Sequence, residues 1–183
     1  DDLVKRNFNA DHPDQLWVAD FTYIQTHSGW VYTAFIIDVF SRAIVGWKVS
    51  TRMNTDMVLD ALEQALHDRG MPKNVIHHSD RGVQYLSIRY TNRLEAANLR
   101  ASVGTTGDSY DNALAETVNG LYKTEVIEYL KADWQGLADV QLATLNWVDW
   151  FNKERVHSAL GYVSPFEFEA MYYDKINPLG QVA

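Results

Sequence analysis

Three carboxylates stand where local propensity does not call for them. Asp20 interrupts a largely apolar run, residues 16–26, in which aspartate is disfavoured and costly to bury unpaired. Asp80 closes a short strand expected at residues 74–79 and is followed by Arg81-Gly82, where glycine permits a sharp turn. Glu116 lies one turn into a helical segment, behind a loop containing Gly104 and Gly107. Carboxylates delivered by separate elements suit metal-assisted phosphoryl transfer, in which hard oxygen ligands hold two magnesium ions about 3.5–4 Å apart around a scissile phosphate. Without a cation, three clustered carboxylates repel one another. Each residue alone has an ordinary explanation: a hydrogen-bonded strand aspartate, a turn former before glycine, a solvated helix glutamate. Only the constellation points to chemistry.

The elements that must position them are legible. In residues 16–26 Trp17, Ala19, Phe21 and Tyr23 alternate with Val18, Asp20, Thr22 and Ile24, both sets largely apolar, as in a central strand. Turns at His27-Ser28-Gly29 and Ser41-Arg42 separate it from strands at 30–40 and 43–50, an antiparallel meander. Val58, Ala61, Leu62, Ala65 and Leu66 then follow helical spacing, capped from Asn54, Thr55 or Asp56 and ended by Gly70 and Pro72. A strand at 74–79, a helix at 87–98, a strand at 99–103 and helices at about 112–127 and 137–152 complete the order. On the last helix Leu137, Val140, Leu145, Val148 and Phe151 are expected to face the core, with Trp147 beside them. The result is an α/β fold, a mixed five-stranded sheet flanked by helices.

Thirty-five residues separate Asp80 from Glu116, and the chain resembles the D-D-35-E transposases of insertion sequences, closely the catalytic subunit of the IS-three family. The stretches that carry the resemblance are Trp17-Val18-Ala19-Asp20-Phe21-Thr22, Asp38-Val39-Phe40-Ser41-Arg42, His78-Ser79-Asp80-Arg81-Gly82, Asp111-Asn112-Ala113-Leu114-Ala115-Glu116 and Asn152-Lys153-Glu154-Arg155-Val156-His157. The resemblance implies an RNase H-like fold of the retroviral integrase catalytic core type. It also implies Asp20, Asp80 and Glu116 as catalytic metal ligands, with Mg²⁺ as cofactor and Mn²⁺ able to substitute. The implied reaction is DNA cleavage and strand transfer on transposon ends and target DNA by a homodimer or higher multimer. An upstream helix-turn-helix recognition domain or subunit, a bacterial cytoplasmic, nucleoid-associated setting and no membrane belong to the same expectation. On this reading residues 1–15 are a connector from an absent recognition region, 16–168 the catalytic core and 169–183 a C-terminal tail. Residues 102–108, Ser-Val-Gly-Thr-Thr-Gly-Asp, depart from the more basic loop of many relatives.

Other residues are placed by spacing. Asn112, Glu116, Asn119, Gly120 and Lys123 share a helix face, so Lys123 and Asn112 are candidate DNA contacts. Glu125, nine residues beyond Glu116, points the opposite way. Arg81 and Gln84 lie near the chemistry and join the DNA-contact candidates, as do Arg155 and His157, for which a structural cap is the alternative. His78 shares a strand face with Asp80 and could orient a ligand or water from behind, or simply pack. Arg89, Arg93 and Arg100 fit a solvated face better than a phosphate-reading stripe. The aromatic residues, six Trp included, are expected mostly in core and interface, not as a stacking platform for single strands.

Composition bounds these readings. No cysteine occurs, which excludes disulfides and thiolate zinc sites. Sixteen Lys and Arg against 24 Asp and Glu leave a net charge of −8, an unfavourable balance for a polyanion partner. The charge is uneven, however. Residues 81–100 carry four Arg and one Glu, net +3, and 121–183 carry five basic and nine acidic groups, net −4. Weak, salt-sensitive DNA binding by this chain alone is therefore expected. Two other function classes fit the same residues: a hydrolytic nuclease of RNase H-like fold, which cuts and never joins, and a catalytically inactive DNA-binding module.

Overall fold

Both faces of the first strand are buried over its inner half, and the layering follows from that. The computed structural model describes residues 1–5, 7–104, 112–130 and 133–177. Its strands are β1 (Leu16–Thr26), β2 (Gly29–Asp38), β3 (Ile44–Ser50), β4 (Ile76–Ser79) and β5 (Arg100–Val103). Its helices are α1 (Thr55–Asp68), α2 (Ile88–Ala96), α3 (Ala113–Tyr122), α4 (Leu137–Lys153) and α5 (Pro165–Ile176). The sheet order is β3-β2-β1-β4-β5. β1, β2 and β3 pair antiparallel, and β4 and β5 join in parallel. Trp17 and Ala19 of β1 face a cluster with α1 and α2, while Val18 and Ile24 face α3 and α4. Alternation thus sends one face of β1 into each helical layer.

Local chemistry sets the element ends. Asn54 caps α1 by accepting from Met57 N, and Ser87 caps α2 by accepting from Tyr90 N. Gly46 of β3 is required by close approach, since a Cβ there would stand 2.3 Å from the Ala61 carbonyl oxygen of α1. The exposed edge of β3 is blunted by side chains. The Asn152 amide accepts from Ile44 N (2.8 Å) and donates to Ile44 O (2.9 Å), and Gln64 accepts from Trp47 N (2.7 Å). These amides stand where a further strand would pair.

Several expectations are corrected. Leu145 is exposed, because the buried stripe of α4 runs instead through Val140, Thr144, Trp147, Val148, Phe151 and Asn152. The helix containing Glu116 turns π-helical over Lys123–Glu128. Residues 165–176 form α5, so the expected boundary at 168 falls inside a helix. Its start signal was present in the sequence: Ser164 caps, Pro165 follows, and Glu167 completes a capping box. The opening stretch is packed, with Val4 in the core, Phe8 against His78 and Leu3 N donating to Ser102 Oγ (2.8 Å). Helix α2 stops before Arg100, and Arg89 and Arg93 pair with Asp56 and Glu63 of α1. The loop at 105–111 lies outside the described residues.

A half-buried ion cluster ties these parts together. Arg69, at the C-terminal end of α1, donates to Asp14 (2.8 Å) and to both carboxylate oxygens of Glu169 (2.8 Å each) and stands 3.8 Å from Asp38. Asp38 accepts from the backbone N–H groups of Asp14, Phe40 and Ser41. Burial, with Glu169 and Asp14 nearby, raises the Asp38 carboxyl to about 6 against these N–H donors. Three acids around one guanidinium leave an excess of negative charge that a proton relieves.

The folded chain therefore holds the Asp38 proton more tightly than the unfolded chain does. This contribution to stability is full below about pH 4 and is lost as pH rises through about 6. Glu169→Gln should flatten that decline, and Arg69→Ala should destabilise by roughly 3–5 kcal/mol by leaving buried acids unpaired. Urea unfolding at pH 5 and pH 7.5 reads both. An Arg69→Ala protein as stable as the parent would show that the cluster is not a fastening.

Candidate functional site

Parallel pairing of β1 with β4 brings the first two carboxylates together. Ala19 is in register with Ser79, so Asp20 and Asp80 emerge one residue later on neighbouring strands, which lie about 4.8 Å apart. β4 ends there while β1 continues to Thr26, leaving the outer half of β1 with an unpaired edge. Asp80 folds back on its own turn, accepting from Gly82 N at 2.8 Å. A side chain at Gly82 would press on Asp80 Oδ1 at 3.0 Å and Gln84 Oε1 at 3.3 Å.

Helix α3 supplies the third. Asn112 is buried before its first turn and donates Nδ2 to Ala19 O (3.0 Å), fastening the helix start to the residue before Asp20. Glu116 is exposed on the first turn, where a negative charge favours the helix dipole. One turn on, Asn119 donates Nδ2 to Asp20 Oδ2 at 3.0 Å. Lys123 follows with its Nζ 5.1 Å from the centre of the Tyr23 ring. The face of α3 thus tracks the unpaired edge of β1.

Asp20 reports the cluster electrostatically. Burial raises its carboxyl to about 6, Asp80 and Glu116 push the same way, and the N–H of Phe21 and the amide of Asn119 oppose them. Among the described residues no three acidic, His or Cys groups stand close enough to hold a metal ion. The carboxylates form an open cluster within electrostatic reach of one another, not a closed ligand shell. Their chemistry still fits a hard divalent cation: oxygen donors only, with Asp20 raised by burial and by two like charges that a cation would offset.

The remaining candidates divide. Arg81 is exposed beside Asp80 and donates Nε to Gly104 O (2.9 Å). Gln84 is buried and reaches Met53 O, and Asn112 is buried as described, so both are placed to brace the site from within. His78 is buried behind β4, hydrogen-bonded to Ser102 Oγ (2.9 Å). Arg155 and His157 are not among the groups acting on Asp20. Arg155 pairs with Glu125 (2.6 Å), which also accepts from Trp147 Nε1, and His157 is buried against Phe151. Glu125 is thereby held away from the carboxylates, as its spacing implies. Asn119 was grouped with this face by spacing but assigned no role. Only the fold shows its amide on Asp20.

Comparison with known proteins follows this geometry. The integrase core domain family matches residues 10–109, and a second integrase core domain profile matches residues 97–165. The transposase for insertion sequence element IS629 of Shigella sonnei is 58% identical over 96% of this chain and 58% of its own length. Transposase InsF for insertion sequence IS3A of Escherichia coli K12 is 39% identical over 92% of this chain and 58% of its own. The chain therefore spans about three fifths of the length of these relatives. Among solved structures, the HTLV-2 integrase catalytic core domain in complex with magnesium (trimeric form) superposes with a TM-score of 0.70 at 18% identity, covering 88% of this chain and 99% of that one. The BIV integrase catalytic core domain gives 0.61 at 18% identity over 88% and 97%. These likenesses make the fold RNase H-like, as retroviral integrase cores are.

Asp20 carries a testable cost. Its folded-state value near 6 exceeds the ordinary 3.8, so its contribution to stability is full below about pH 4 and lost as pH rises through about 6. Asp20→Asn removes the charge, and Asn119, whose Oδ1 is buried without a partner, can turn its amide to meet the new one. The variant should melt roughly 2–5 °C above the parent at pH 7.5, and the gap should close near pH 4. Added Mg²⁺ should raise the melting temperature of the parent and not of the variant. A lower melting temperature for the variant at both pH values would refute this account of the cluster.

Proposed function

The chain belongs to the integrase core domain family, and on that footing we propose that it is the catalytic core of an insertion-sequence transposase that cleaves DNA strands and joins them to new sites. The observation that carries the reading is the convergence of three carboxylates: Asp20 and Asp80 follow a register pair on neighbouring parallel strands, and Glu116 of α3 stands within electrostatic reach of Asp20. Among the described residues Glu116 makes no hydrogen bond or ion pair through its carboxylate beyond its favourable place at the helix start, and cation binding would give that carboxylate a partner.

In this reading Asp20, Asp80 and Glu116 hold divalent cations, Mg²⁺ first and Mn²⁺ in its place. The bound metal supplies activation of the attacking oxygen and stabilisation of the leaving one. The chain's own residues supply position. Asn119 fixes the rotation of the Asp20 carboxylate through one oxygen, and Phe21 N fixes it through the other at 2.8 Å. The Gly82 N–H holds Asp80 in its turn, and Asn112 sets the start of α3 against β1, which fixes where Glu116 stands. Lys123 and Arg81 are cationic groups on either flank that can hold a DNA phosphate. Arg155 and His157 support the junction after α4 and are assigned a structural task. Action on element ends by a multimer, with recognition supplied by further chain or a partner subunit, is part of the proposal.

Glu116→Gln should keep the fold and lower Mg²⁺-dependent cleavage and joining by about a hundredfold or more. The check is cleavage and strand transfer on a labelled DNA duplex, with the melting curve as the fold control. Cleavage without any joining by the parent chain would assign it instead to the hydrolytic nucleases, and undiminished activity in the variant would remove Glu116 from the site.

A further inference from the structure

Two large aromatic side chains are left uncovered on the outer half of the β1–β2 hairpin. Tyr23 is 56% exposed and Trp30 49%, and their rings meet edge to face at 5.2 Å. On the same sheet face Phe21 and Tyr32 are half-buried against the α1–α2 layer, so aromatic surface runs from the core out into solvent. Tyr23 follows Asp20 by three residues, about 10 Å along the strand, and lies on the stretch of β1 whose second edge is unpaired.

The surroundings of the pair are cationic in an acidic chain. Lys123 sits over the Tyr23 ring, on the α3 face that also carries Glu116 and Asn119. Arg52 is exposed two residues after Ser50, the register partner of Tyr32. Among the described residues neither Lys123 nor Arg52 has an ion-pair partner. Exposed aromatic rings, edge to face and flanked by unpaired cations, match a nucleobase with its phosphates: the base stacks on one ring face, and the ammonium and guanidinium take the backbone. A second protein chain would match the aromatics without a use for both cations.

We propose that Tyr23 and Trp30, with Lys123 beside them, form a stacking platform for an unpaired DNA base one or two nucleotides from the phosphate held at the carboxylates. The proposal rests on the DNA-cleaving reading and assigns that site its single-stranded part. Duplex ends and flanking nucleotides must separate for strands to enter, and the platform holds one base once it is unstacked. Stacking on an aromatic side chain tolerates any base, so the platform confers a preference for unpaired DNA and not for sequence.

The test uses the 183-residue chain and two DNA probes, measured by fluorescence anisotropy in Ca²⁺ so that binding is read without turnover. One probe is a duplex with a three-nucleotide single-stranded overhang, and the other carries the same overhang without bases. The parent chain should bind the first roughly tenfold more tightly. Tyr23→Ala and Trp30→Ala should each erase most of that difference, Tyr23→Phe should keep it, and Lys123→Ala should weaken both probes alike. Equal binding of the two probes by the parent overturns the platform while leaving the cleavage reading intact, and binding of neither probe overturns the DNA reading on which it rests. Alanine variants that change sedimentation behaviour but retain the tenfold preference would assign the pair to a protein interface and overturn the proposal.

Discussion

The site depends on one arrangement: a carboxylate placed inside a strand that is buried on both faces. Asp20 cannot be solvated like a surface aspartate, and burial alone raises its carboxyl before any neighbour is counted. Everything around it is organised to make that tolerable without neutralising it. β4 ends level with it, which opens one edge of β1. Phe21 N and the Asn119 amide each hold one oxygen. Had the chain placed a lysine or arginine there, the charge would be satisfied and the cluster closed to metal. Amide and backbone donors instead orient the carboxylate and leave the net negative charge for a cation.

Much of this was legible in the sequence, and the reasons are physical. Strand β1 announced itself through alternation with two apolar faces, and Asp20 stood out because it broke that pattern. Helix α1 was marked by spacing and by its cap, Asn54, and the antiparallel pairing of the first three strands followed from the short turns between them. The pairing of Asp80 with Asp20 is a matter of parallel register, a long-range property that no local pattern prints; it was expected from family resemblance. Helix α5 is not legible as a core-facing helix although Ser164, Pro165 and Glu167 spell its start, because its apolar residues are spread around it and most stay exposed or partly exposed. Only Pro165 and Glu169 are buried along it. What holds α5 is the ion cluster at Arg69 together with ring contacts of Phe40 to Phe168 and Tyr172, and the partners of Arg69 lie 55 and 100 residues away in sequence.

The same distinction separates the contact candidates. Asn112, Gln84 and His78 belong to motifs beside the carboxylates, and motif membership cannot tell a side chain that touches substrate from one that holds a strand end in place. The fold sorts them by burial: all three amide or imidazole groups are spent inside the protein. Asn152, at the start of the last motif, turns out to mimic a strand by pairing with both backbone groups of Ile44. Arg155 is committed to Glu125, at the π-helical end of α3. That motif therefore reads as the device that locks α4 and its exit to β3 and α3, on which the position of Glu116 depends.

Net charge looked like the strongest argument against a polyanion partner, and its distribution reverses the weight of that argument. The arginine-rich stretch at 81–100 contributes less than its count suggests, since Arg89 and Arg93 are neutralised by acids of α1. Cations available to a phosphate gather elsewhere, at Lys123, Arg52 and Arg81, around the carboxylate cluster and the exposed aromatic pair. The acidic surplus lies in residues 121–183, where part of it is structural. Glu169 and Glu125 are each locked to an arginine. A chain can be acidic overall and still present a cationic rim, because screening confines each charge to about 8–10 Å at physiological salt. What a DNA strand would meet at the proposed site is this local rim, and charges beyond the screening distance in the total of −8 weigh little against it.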